Sequence, residues 1–231
     1  MANIGARDRL IVALDVPTIE AARALVVKLG AAVAFYKIGL ELVMSGGLDL
    51  ARELTRDKKQ VFLDMKLLDI ENTVERATRN AAATGATFLT VHGHRSVMEA
   101  AAREKGGMKI LAVTVLTSFD QRDLEEMGST RTVEQLVLSR AKGALDTGCD
   151  GVISSGHEAK ALKKEFGDRL LVVTPGIRPF EKKDDQKRTV DVAQAFANGA
   201  DYIVVGRPIR DAADPRAAAQ AIQDSIKKIK G

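Results

Sequence analysis

With 231 residues, 45% hydrophobic and 29% charged, the chain has the composition of a folded globular protein and not of a disordered one. A formal charge of +4, no Trp and only two Tyr argue against a base-stacking nucleic-acid platform and suit small anionic ligands. Cys149 is the single cysteine, so no disulfide can close within the chain, and the apolar run LIVAL near the start is too short for a signal segment or a spanning helix; a cytoplasmic protein without membrane association is expected.

In chain order, short β-branched apolar runs predict strands at 9–16, 34–40, 60–66, 87–93, 109–116, 150–155, 170–176 and 201–207. Such near-continuous runs suit parallel strands covered on both faces. Stretches rich in Ala, Leu, Glu, Lys and Arg predict helices at 18–29, 47–57, 72–84, 96–105, 132–147, 157–166, 189–198 and 215–230. The first has Thr18 as its N-cap and Gly30 as its stop. Eight strand–helix units without a Pro/Gly/Ser-rich linker predict one domain over 1–231, a (β/α)8 TIM barrel. An open doubly wound sheet would carry a Gly-rich fingerprint after its first strand, where this chain has DVPTIE.

In such a barrel the site lies at the C-terminal strand ends. Read in order, these ends carry Asp15, Lys37, then Asp64 and Lys66, His92, Thr117 and Ser118, Ser154 and Ser155, then Pro175, Gly176 and Arg178, and finally Gly206 and Arg207. Residues two apart on a strand share a face, so Asp64 and Lys66 are expected to point together into the barrel mouth. Lys37, Asp64, Lys66 and Asp69 would form an array of alternating sign. Buried charges persist when paired in this way. Two readings fit: a salt-bridge network closing the barrel top, or catalytic groups in which a lysine stabilises a carbanion and donates a proton. Arg178, Gly206 and Arg207 suit a phosphate dianion through a bidentate fork and close backbone approach. The alternatives are a capped barrel end and, for 178–188, a solvated loop. His92 and His94 lack a third metal ligand, and no metal is expected. His157 is expected to be exposed, and Cys149 reads as a small buried residue.

The run Asp-x-Lys-x-x-Asp-Ile-x-Asn-Thr from Asp64 to Thr73 resembles the signature of the orotidine 5′-phosphate decarboxylase family. LIVALDVP, FYKIGLEL, VTVLTS, VTPGIRP, DDQKR and YIVVGRPI resemble further elements of that family, in register along nearly the whole chain. The resemblance implies decarboxylation of orotidine 5′-monophosphate to UMP and CO2, with neither metal nor organic cofactor. It implies a catalytic set of Lys66, Asp64, Asp69 and Lys37, with Lys66 protonating C6 and Asp64 beside the departing carboxylate. Asp15 and Lys37 would hold ribose hydroxyls. Asp69, Ile70 and Thr73 would reach the neighbouring site across a homodimer interface. Thr117 and Ser118 would lie near the pyrimidine, and which of the two makes the main contact stays open. Arg178, Gly206 and Arg207 would take the phosphate, with Gln186 reaching the ligand from a lid over 178–188.

Two departures stand out. Glu71 occupies the place where the family commonly has proline, and VHGHRSVME lacks a glycine pair often seen after strand four. Glutamate also suits a helix start, through the dipole, so the helix is expected to keep its start, with a less rigid loop before it. Two other functions compete. A magnesium-dependent sugar-phosphate decarboxylase on the same barrel, such as 3-keto-L-gulonate 6-phosphate decarboxylase, would carry an acid at the position of Lys37. A cation there is unfavourable beside a metal. A non-catalytic nucleotide-binding barrel would not require Asp64 and Lys66.

Overall fold

The computed structural model describes residues 4–178 and 190–230. Eight parallel strands close on themselves in chain order: β1 (Leu10–Ala13), β2 (Phe35–Gly39), β3 (Gln60–Leu67), β4 (Phe88–His92), β5 (Lys109–Val113), β6 (Gly151–Ile153), β7 (Leu171–Thr174) and β8 (Tyr202–Val205). β1 closes the ring by pairing with β8, Ile11 opposite Val204. The fold is the expected (β/α)8 barrel. Except for β3, the strands are shorter than the apolar runs, because the ends of those runs leave the ladder and form the rim.

The outer layer comprises α1 (Ile19–Leu29), α2 (Leu40–Val43), α3 (Gly47–Arg56), α4 (Glu71–Ala82), α5 (Arg95–Glu104), α6 (Gln121–Glu126), α7 (Val133–Asp146), α8 (Ala159–Phe166), α9 (Val192–Ala197), α10 (Arg207–Arg210) and α11 (Pro215–Lys230). α1 shows how the sequence sets an element. The Thr18 hydroxyl accepts from the Ala21 N–H at 3.2 Å. Ala22, Leu25 and Leu29 form the buried stripe, and Gly30 ends the helix at φ +51°. The short helices α2, α6 and α10 fall where no helix is expected from the sequence. α8 and α9 start later than expected, at Ala159 and Val192; α9 begins where the Asp191 carboxylate caps it by accepting from the Gln194 N–H at 2.7 Å.

The barrel interior is a plug and not a pore. Phe35 and Phe88 pack with their rings tilted at 52° and centroids 5.1 Å apart, and Tyr202 meets Phe88 edge-on at 5.1 Å. Phe62 packs against Phe88 from above at 6.0 Å. Burying each phenylalanine contributes about 1.5–3 kcal/mol. These rings give any cavity at the strand ends a dry, rigid floor.

Candidate active site

The charged side chains at the ends of β1 to β3 meet above that floor. Lys37 is 8% exposed. Its ammonium donates to Asp15 Oδ1 at 2.7 Å and lies 3.5 Å from Asp64 Oδ2. Asp64 Oδ1 accepts from Lys66 Nζ at 2.8 Å and from the Thr90 hydroxyl at 2.9 Å. The sequence of charges is therefore Asp15, Lys37, Asp64, Lys66. Asp15, not Asp69, completes the alternation within one chain. Asp69 is exposed and accepts from the N–H of Ile70 at 2.7 Å, because the chain turns outward after Leu67 to enter α4. Gly39 leaves room for this array: a Cβ there would come 3.0 Å from both Asp15 Oδ1 and Lys37 Nζ.

Burial opposes the charge on Asp64. Lys37 and Lys66, together with hydrogen bonds from Lys66 and Thr90, outweigh it and hold the carboxyl below its ordinary range. Burial likewise opposes the Lys37 charge, and Asp64 and Asp15 overcome it, so its ammonium is held above the usual lysine range.

Asp64 and Lys66 converge for a reason other than strand alternation. The β3–β4 ladder pairs Leu63 with Leu89 and then jumps to Leu67 with Val91. Asp64, Met65 and Lys66 thus stand opposite Thr90 alone, as a bulge that re-aims the strand. Within it Lys66 adopts φ +49°. A left-handed non-glycine residue costs on the order of 1–3 kcal/mol and marks sites where the surroundings over-determine the backbone.

A cavity of about 390 Å³ opens beside the array. That volume is within the range of small-molecule sites. Asp15, Lys37, Asp64 and Lys66 line one side, Thr117 and Ser118 a second, and Arg178, Gly206 and Arg207 a third. An added Cβ at Gly206 would meet Ala13 Cβ at 3.5 Å, an ordinary contact, so the protein's own packing does not demand glycine there. Asp69, Ile70 and Thr73 do not line the cavity: Ile70 caps α4 and is 72% exposed, and Thr73 lies in its first turn. Gln186 lies outside the described residues.

Two participants escape a reading of the sequence. Thr90 looks like an ordinary strand threonine, and only the bulge opposite reveals its contacts. Arg210 lines the cavity, and its guanidinium donates to the Asp15 backbone carbonyl. An arginine in a four-residue helix carries no sequence signal that distinguishes it from a surface residue. Other rim residues do different work. Ser154 and Ser155 are buried and donate to Glu158, the residue that opens α8. His92 and His94 have ring centroids 6.4 Å apart. Among the described residues no three His, Cys, Asp or Glu side chains cluster as a metal set. Burial, then His94, Arg140 and Lys66, push the His92 imidazole below its ordinary value. His157 is exposed, while Cys149 is buried with its thiol pushed up to about 11 by burial. Glu71 does begin α4, and its carboxylate accepts from Arg103 of α5 at 3.0 Å. Among the described residues no helix is long and apolar enough to cross a membrane.

Comparison with known proteins gives the same direction. Residues 8–222 match the Orotidine 5′-phosphate decarboxylase / HUMPS family. A protein from Methylococcus capsulatus named orotidine 5′-phosphate decarboxylase is 57% identical over 225 residues, covering 96% of this chain and 93% of that one. One of the same name from Methylorubrum extorquens is 53% identical over 218 residues, covering 94% of each. The crystal structure of orotidine 5′-phosphate decarboxylase from Lactobacillus acidophilus superposes with a TM-score of 0.86 at 37% identity, over 95% of this chain and 99% of that one. The chain belongs to the orotidine 5′-phosphate decarboxylase / HUMPS family.

Proposed function

We propose that this chain, folded as a single domain, decarboxylates orotidine 5′-monophosphate to UMP and CO2, with Lys66 as proton donor and no metal or organic cofactor. The observation that carries this reading is the Asp15–Lys37–Asp64–Lys66 array lining a cavity that Arg178 and Arg207 also line. A nucleotide has matching ends, a phosphate for the arginines and a reacting base for the charged array.

In the proposed step the bond from C6 to the carboxylate breaks, CO2 leaves, and the electron pair stays at C6. The Lys66 ammonium stabilises that carbanion and then gives it a proton, becoming a neutral amine. Asp64 holds the ammonium in place and presents negative charge towards the substrate carboxylate. Asp15 and Lys37 bind ribose hydroxyls, Thr117 and Ser118 border the pyrimidine, and Gly206 lets the backbone approach the phosphate. Binding of the phosphate, remote from C6, serves the chemical step.

The reading includes a homodimer in the cytoplasm, with Asp69, Ile70 and Thr73 facing the partner's site. Its support is the exposed apolar rim beside them, Leu68 at 56% and Ile70 at 72% exposed. A magnesium-dependent relative is disfavoured by Lys37, because an ammonium beside a metal ion is electrostatically unfavourable. The test is the loss of orotidylate absorbance before and after exhaustive EDTA treatment. Equal rates are expected. Turnover that disappears with EDTA and returns with Mg²⁺ would overturn the cofactor-free reading.

A further inference from the structure

We infer that Thr90 is a positioning residue for the reaction, its hydroxyl holding the Lys66 backbone and the Asp64 carboxylate in register with each other. The role in catalysis rests on the proposed function; the contacts do not.

The β3 bulge leaves the Lys66 N–H with no backbone carbonyl opposite it. A buried N–H without an acceptor is costly, so nearly all find one. Here the acceptor is Thr90 Oγ1 at 3.0 Å. The same hydroxyl donates its single hydrogen to Asp64 Oδ1 at 2.9 Å. That oxygen is also the one that faces Lys66 Nζ, at 2.8 Å. One buried group, 0% exposed, therefore joins both ends of the working lysine: its strained backbone directly, and its ammonium through Asp64. A hydroxyl can accept and donate at once, which neither an alkyl group nor an ammonium can do.

Thr90 is itself held firmly. It lies two residues along β4 from Phe88, in register with Leu111 of β5, above the aromatic floor. Rigid support is what a reacting group needs, because a displacement of about 1 Å can lower the rate roughly 100-fold. Removing the hydroxyl would free the Lys66 peptide to leave its left-handed conformation and free Asp64 to turn. The substrate-gripping groups across the cavity would be untouched.

Thr90→Ser and Thr90→Ala both lose the methyl and differ only in the hydroxyl. Steady-state kinetics with orotidine 5′-monophosphate should show kcat of Thr90→Ala roughly 10- to 100-fold below that of Thr90→Ser, with KM values within about threefold. Equal kcat values for the two variants would overturn the positioning role. Hydrogen exchange at the Lys66 amide provides a readout independent of turnover: protection in wild type and Thr90→Ser but not in Thr90→Ala supports the contact. Equal protection in all three would overturn it. If wild-type protein failed to turn over this substrate while the amide pattern held, the proposed function would fall and the structural role of Thr90 would stand.

Discussion

Lys37 Nζ lies 2.7 Å from Asp15 Oδ1, tying the middle of β2 to the loop that follows β1. The same ammonium lies 3.5 Å from Asp64 Oδ2. Lys37→Ala leaves Asp64 largely desolvated with one cation in place of two. Breaking a buried pair in this way is expected to cost on the order of 3 kcal/mol. Urea denaturation of the variant checks it, and an unchanged midpoint would mean that Lys66 alone compensates Asp64.

The same array fixes the pH dependence of stability. The folded Asp64 carboxyl sits below its ordinary value of 3.8, so its contribution is complete above that value. It is lost as pH falls through the lower folded value, because the unfolded chain takes up the proton first. The folded Lys37 ammonium sits above its ordinary 10.5. Its contribution is complete below 10.5 and is lost as pH rises through the raised folded value. These two groups should add no slope to the urea midpoint between those limits, and a fall beyond each. Asp64→Asn should flatten the acid-side fall; an unaltered acid limb would show that other carboxylates cause it.

Lys66 at φ +49° carries strain that glycine would not. Lys66→Gly and Lys66→Ala lose the same ammonium, but only alanine keeps a Cβ in the left-handed region. The glycine variant is expected to be the more stable of the two by about 1 kcal/mol. Thermal unfolding of both decides this. A less stable glycine variant would indicate that chain entropy outweighs the strain.

Arg207 lines the same cavity as Asp64 and Lys66. Under the proposed function, Arg207→Ala should raise KM and lower kcat/KM by roughly 100-fold, while leaving unfolding transitions near wild type. Unchanged kinetics would remove Arg207 from the phosphate grip.

Much of the architecture is legible in the residues. The strands announce themselves as β-branched runs because both faces are covered, and Thr18 and Gly30 mark their helix because caps are local chemistry. α6 is not anticipated from the sequence, although Asp120 and Asp123 form a capping box there, a local signal easily passed over in a short helix. The bulge in β3 was not legible. Alternation brings Asp64 and Lys66 to one face, and they do meet, but through a broken ladder whose geometry depends on the partner strand. Thr90 is invisible for the same reason. Asp69 belongs by charge to the array, yet the turn after Leu67 carries it away, and Asp15 takes that place from the loop after β1, far off in sequence. Long-range pairing decides these cases, and no local pattern encodes it.

The central claim is that Lys66, held by Asp64, delivers the proton that completes decarboxylation. The most direct measurement is the rate at which Lys66→Ala consumes orotidine 5′-monophosphate, beside wild type and with UMP binding measured on the same samples. Wild type should turn over, and the variant should be slower by at least about 1000-fold while still binding UMP. A variant rate near wild type would contradict the account, as would a wild-type protein that binds UMP tightly and releases no CO2.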